Sequence, residues 1–246
     1  MNKKLIALIG LVSLFFCASL SAKTFVVGGI AYETLSDSTV VVVPIESFEY
    51  YGKVVIPETV VDEEKQYSVI AIGSNAFENC YCLTQITLPN TLIEIGKGAF
   101  RNCLNLKAIS LPASLEILGS SAFSTCSKLT KVIIPEKVEV IPEMCFESCT
   151  SITSVTIGSS VVKILHHAFS KCAAIQSVKI PSNVKSIADY AFNECSKLTT
   201  VTFAKKDDVK VAKLAFVRSP YGDSTSSRGA AIKNDSRFKI SNSVTY

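Results

Sequence analysis

Thiols and imidazoles are the side chains through which this 246-residue chain could do chemistry, and their spacing limits what that chemistry is. Of nine cysteines, six stand at one interval: Cys80, Cys103, Cys126, Cys149, Cys172 and Cys195. Cys82 and Cys145 fall outside that series, and Cys17 lies in an apolar N-terminal run. A zinc site draws on thiols two to four residues apart. A step of 23 residues instead supplies one thiol per structural unit, stacked in a row. Packing in the core is the expected role, with disulfides between neighbouring rungs as the alternative that an exported compartment permits. Cys145 and Cys149 are the pair best placed to form one, although Cys145 stands where other units carry alanine and so fills space.

The two histidines, His166 and His167, are adjacent, so their side chains point apart and cannot easily share a metal. A Cys-His nucleophile also needs a third group to orient it and a pocket to hold a substrate. The sequence offers neither, so no catalytic, metal or cofactor-binding residue is assigned and no cofactor is expected. His167 occupies a slot that elsewhere holds Asn75, Gly98, Ser121, Met144 and Tyr190, a variety that marks an exposed turn.

The elements that position these groups come from a repeat. Ala99-Phe100, Cys103 and Leu106 read A-F-x-x-C-x-x-L, and the phenylalanines stand at 77, 100, 123, 146, 169 and 192. Phe216 follows 24 residues later, with Ser219 in the cysteine place. A fixed period of this length is the signature of a leucine-rich repeat solenoid. In the unit 106–118, Ile109 and Leu111 alternate with Ser110, predicting a short strand with two residues inward, ended by Pro112. Leu115 and Leu118 line a second wall, and Phe123 and Cys126 fill a third corner through about one helical or 3-10 turn. Strands are expected at 86–88, 109–111, 132–134, 155–157, 178–180 and 201–203, stacked in parallel about 4.8 Å apart.

Both ends of the array depart from the period. Residues 1–22 read as a secretory signal: Lys3 and Lys4, an apolar run from Leu5 to Phe16, then small residues before Lys23. Lipidation at Cys17 is the competing reading, against which Phe15 and Phe16 stand where a small residue is wanted. Residues 23–66 are expected to form an antiparallel β cap and a first distorted coil, with a charged protruding loop near 61–68. The array proper is placed at 67–203, and 204–246 form a closing cap and tail with a strand near 238–240. The formal charge is +4, and setting aside Lys3 and Lys4 leaves 23 basic against 21 acidic side chains. No basic stripe remains that could hold a phosphate backbone, so nucleic acid is not an expected partner. No apolar run is long enough to span a bilayer.

A unit of the form A-F-x-x-C-x-x-L-x-x-I-x-L-P-x-x-L-x-x-I resembles the BspA-like class of leucine-rich repeat proteins, closely over 69–203. The resemblance implies that the thiol at the corner faces inward and bonds nearby backbone. It also implies an exported, surface-displayed protein of adhesin type. The partner would be a host extracellular-matrix protein or another cell-surface protein. The outward strand positions form two columns, Gln85, Ala108, Lys131, Ser154, Ser177, Thr200 and Thr87, Ser110, Ile133, Thr156, Lys179, Thr202. Among them Gln85, Thr87, Lys131, Ile133, Thr156 and Lys179 are the candidate protein-binding face. These columns carry no aromatic or arginine side chain, the types that dominate binding hot spots. A solvated face on a structural envelope protein is therefore the alternative, and an enzyme the remotest reading. The sequence leaves the oligomeric state open.

Overall fold

The computed structural model describes residues 22–45, 50–205, 209–221 and 239–241, and the expected signal up to residue 21 and most of the expected C-terminal tail lie outside them. The chain opens with an antiparallel meander, β1 (Thr24–Val27), β2 (Ile30–Thr34) and β3 (Thr39–Val43). β4 (Gly52–Val55) follows, then β5 (Thr59–Asp62) and β6 (Lys65–Ile72). Each later coil contributes two short strands. They are β7 (Leu83–Thr87) and β8 (Glu94–Ile95), β9 (Ala108–Ile109) and β10 (Ile117–Leu118), β11 (Lys131–Ile133) and β12 (Val140–Ile141). They continue as β13 (Ser154–Thr156) and β14 (Lys163–Ile164), β15 (Ser177–Ile180) and β16 (Ser186–Ile187), then β17 (Thr200–Phe203) and β18 (Lys210–Ala212). β19 (Lys239–Ser241) closes the row in parallel with β18, near the strand expected at 238–240.

The result is a β-solenoid with two parallel walls, which we call the first sheet (β4, β7, β9, β11, β13, β15, β17) and the second sheet (β6 and the even-numbered strands after it, ending on β19). Pairing steps by one coil, as in Val132 opposite Val155 and Ile164 opposite Ile187. The first-sheet strands begin one or more residues earlier than the alternation predicts. In β7, β9, β11 and β13 the last expected residue, ahead of Pro89, Pro112, Pro135 or Gly158, leaves the ladder.

The region expected as a charged loop is a hairpin. β5 and β6 pair antiparallel through Val61 opposite Gln66 and Asp62 opposite Lys65, with Glu63 at φ 55° in the turn. β-branched and aromatic residues on alternate positions, Val60 and Tyr67 inward, favour strand over loop. Its carboxylates are not simply solvated, because Lys23 Nζ lies 2.6 Å from Asp62 and 3.1 Å from Glu63.

The corner holding each phenylalanine is not the helical turn expected of it. Two residues per corner take a left-handed backbone: Asn75 (φ 58°) and Asn79 (φ 62°), then Ser121 and Thr125, His167 and Lys171, Tyr190 and Glu194. Left-handed residues four apart break any continuous helix, and within each corner alternate N–H groups point out of the coil, as at Asn75, Phe77 and Asn79. Those N–H groups bond the next coil. Phe77 N donates to Ala99 O at 2.8 Å, Phe100 N to Ala122 O at 2.7 Å, and Phe123 N to Cys145 O at 2.8 Å. The corner is thus a third inter-coil ladder.

Candidate interaction face

The repeating cysteines are drawn into that corner and neutralised as chemical groups. Cys103 Sγ donates to Phe77 O at 3.1 Å and Cys126 Sγ to Phe100 O at 3.2 Å. Cys149, Cys172 and Cys195 bond Phe123, Phe146 and Phe169 at 3.1–3.2 Å. Each acceptor belongs to the preceding coil, so the thiol ties coils together. Burial pushes the Cys126, Cys145 and Cys172 thiols well above their usual range and Cys195 to about 12. A buried neutral thiol is a poor nucleophile and metal ligand. None of the described cysteines is in a disulfide, and only Cys82 among them is exposed.

Beside the thiols the phenylalanines form a continuous stack. Phe77, Phe100, Phe123, Phe146, Phe169, Phe192 and Phe216 lie 5.2–5.3 Å apart with planes within 11° of parallel. Tyr50 tilts at 52° against Phe77 at one end, and Tyr221 meets Phe216 edge-on at 69° at the other. Sequence reasoning missed these two end-pieces, because neither tyrosine keeps the 23-residue step. The histidines take no joint role. His167 stacks on Tyr190 with centroids 5.0 Å apart and its Nδ1 is buried without a hydrogen-bond partner. Among the described residues no group of three His, Cys, Asp or Glu is arranged to hold a metal.

The six candidate residues of the face fall on the first sheet. Gln85, Thr87, Lys131, Ile133, Thr156 and Lys179 are all exposed, Ile133 to 50%. The register places Lys131 opposite Ser154, Ile133 opposite Thr156 and Lys179 opposite Thr202, so the two columns are true rows across the strands. They also run one coil further than the repeat suggests. β4 sets Lys53 opposite Gln85 and Val55 opposite Thr87, adding a cation and an exposed aliphatic side chain. Two residues before Lys53 stands Tyr51, 67% exposed, and in the neighbouring coil Tyr81 is 45% exposed. Neither tyrosine belongs to a column, so the columns themselves carry no aromatic side chain, and the exposed tyrosines stand just outside their N-terminal end. The match of Val54-Val55-Ile56-Pro57 to Ile86-Thr87-Leu88-Pro89 was the signal that could have extended the columns.

The second sheet differs in charge. Its outward positions include Glu94, whose carboxyl burial raises above its ordinary value, and the exposed Lys163 and Lys210. No helix among the described residues is long and apolar enough to cross a membrane.

Comparison with known proteins places this geometry. The sequence matches the family described as BspA type leucine rich repeat region, in six copies, over residues 45–173 and 118–221. A leucine-rich repeat protein of Bacteroides ovatus is 30% identical, with a TM-score of 0.62. The alignment covers 79% of this chain and 57% of that one. A leucine rich cell surface protein of Faecalibacterium prausnitzii is 29% identical at a TM-score of 0.61, covering 77% and 57%. A third, from Eubacterium ventriosum, is 22% identical at 0.68, covering 82% and 51%, and supports the fold alone. The chain thus spans little more than half the length of these structures. No curated protein matches it.

Proposed function

The chain belongs to the BspA type leucine-rich repeat family, and from that premise we propose that it is an exported, adhesin-type protein-binding module that uses the outer surface of its first sheet. The fold is one that typically binds proteins and carries no catalytic site. The observation that carries the reading is the register. Exposed side chains of successive coils line up in two rows on a stack whose interior is closed, so a partner meets a surface already ordered. Little conformational entropy is then lost on binding, and shallow contacts add up.

Residues 1–22 serve as the export signal in this proposal, with 23–66 and 204–246 as caps around an array at 67–203. Export agrees with the Faecalibacterium relative being a cell surface protein. The partner is a host extracellular-matrix protein or another cell-surface protein, bound through Gln85, Thr87, Lys131, Ile133, Thr156 and Lys179. The test captures purified matrix and cell-surface proteins on the immobilised chain from Lys23 onward, against a variant carrying Lys131→Glu, Ile133→Asp and Lys179→Glu. A protein retained by the wild type and lost by the variant supports the reading. Capture that the variant leaves intact moves the site elsewhere, and the Asp62–Lys65 hairpin becomes the next candidate. No captured protein removes the reading.

A further inference from the structure

Charge is distributed unevenly over the exposed surface, and the first sheet is its extreme. Neither outward column, from Lys53 to Thr200 or from Val55 to Thr202, contains an aspartate or glutamate. Lys23, Lys65, Arg101, Lys137 and Arg218 each pair with a carboxylate elsewhere on the molecule. Among the described residues no carboxylate pairs with Lys53, Lys131 or Lys179. A flat β-surface with hydroxyls, unneutralised ammonium groups and no acid repels a basic partner and attracts an acidic one.

The same face has one apolar end. Gly52 N donates to Cys82 O at 2.9 Å, so the backbone next to Tyr51 runs alongside the backbone next to Tyr81 in the neighbouring coil, and both tyrosines are exposed. Val55, on the same side of β4 as Lys53, is 64% exposed. Two tyrosines and a valine next to a lysine are the kind of anchor that the columns lack further along.

We infer that the partner presents an extended acidic protein segment, its carboxylates on Lys53, Lys131 and Lys179 and an apolar or aromatic side chain on Tyr51, Val55 and Tyr81. Lys53 and Lys131 are three coils apart and Lys131 and Lys179 two, about 14 Å and about 10 Å along the stack by the spacing of neighbouring strands. Lys179 also sits one column over from Lys131, two residues along the strand, which makes that step about 12 Å. At about 3.3 Å per residue an extended chain matches both steps with acids roughly four residues apart, an even spacing that keeps them on one face. Three lysines over this length, without arginine, are too sparse for the dense charge of a sulfated polysaccharide. The inference rests on the proposed protein-binding role and adds the chemistry of the ligand.

The probe is a fluorescent synthetic peptide of about twelve residues, long enough at about 3.3 Å per residue to cross the face, with one Phe followed by Glu at those spacings. Its anisotropy is read on the chain from Lys23 onward. We expect saturable binding that weakens several-fold as salt rises. Lys53→Glu with Lys131→Glu should lose about tenfold or more, and Tyr51→Ala with Tyr81→Ala a smaller factor. The charge-matched control Lys163→Glu with Lys210→Glu, on the second sheet, should bind as wild type, and melting curves establish that every variant is folded. Absence of saturable binding at low salt overturns the inference, as does equal loss in the control. Indifference to the Tyr51 and Tyr81 changes, together with displacement by dextran sulfate at matched charge, means a polyanion surface and overturns it too. Should the captured partner be lost with Lys131→Glu, Ile133→Asp and Lys179→Glu while the peptide fails to bind, the acidic segment falls and the protein-binding role stands.

Discussion

The corner and the outer surface of the first sheet share one 23-residue step and treat it in opposite ways. At the corner the same side chains return in every coil, phenylalanine on phenylalanine at 5.2–5.3 Å and thiol onto carbonyl at 3.1–3.2 Å. On the sheet, positions in one row run Lys53, Gln85, Ala108, Lys131, Ser154, with no one residue type kept from coil to coil. The difference teaches where the period is enforced. A buried ring can only be matched by a ring of equal thickness in the next coil, because interiors are close-packed and gaps are not relaxed away. An outward side chain meets water, so its identity is left to the partner.

The largest way to break this contrast is to strike the corner. Phe123→Ala should destabilise the fold by about 3–5 kcal/mol, since Phe123 is fully buried with stacked rings on both sides. Stability of a domain is about 5–15 kcal/mol, so denaturant unfolding should show little folded protein left. A midpoint close to wild type would mean that the stack does not hold the coils.

Next comes the thiol row. Cys126→Ala removes a small buried group and strands the Phe100 carbonyl, at about 1–3 kcal/mol. Cys126→Ser should recover part of that loss, because a hydroxyl can still donate to a carbonyl there; Ser219, at the same frame position in the last coil, does so at 2.6 Å, although to Phe216 O of its own coil. In the native protein the row should resist a thiol reagent and react only after unfolding, with no reducing step. Recovery of paired cysteines by mass spectrometry would reassign the row to disulfides.

The outer face is expected to tolerate what the corner does not. Lys131→Glu, Ile133→Asp and Lys179→Glu together should shift the melting temperature by no more than a few degrees, each change being worth roughly 0.5 kcal/mol or less at an exposed site. Partner capture should nevertheless be lost. A collapse in stability would show that the face carries structural weight, and the contrast with the corner would fail.

The smallest effect concerns Glu94 on the second sheet, whose carboxyl is raised above its ordinary 4.5 by burial alone. The folded state therefore holds this proton more tightly than the unfolded chain, and the ionised group weakens folding above that range. Glu94→Gln should raise the melting temperature modestly at neutral pH, with the gain fading as pH falls towards about 4.5 and absent below it. An unchanged difference across pH would mean that the carboxyl is solvated.

The sequence by itself determined the solenoid, its step, the inward frame and the outward rows, because burial and period are properties of side-chain type and spacing. Phe77 to Phe216 could be placed in the core from identity alone, and Lys131 and Ile133 on the surface from alternation. Three things only the tertiary structure decided. The corner became a ladder rather than a helix because left-handed residues such as Asn75 and Asn79 direct N–H groups to the next coil, and that coil must be present to accept them. The stretch 61–68 became a hairpin because Val60 and Tyr67 find a core to enter. And Tyr51 and Tyr81 came onto neighbouring coils near one end of the face because the register of β4 against β7 shifts between Gly52 and Lys53, an irregularity that the sequence match of Val54–Pro57 to Ile86–Pro89 does not encode.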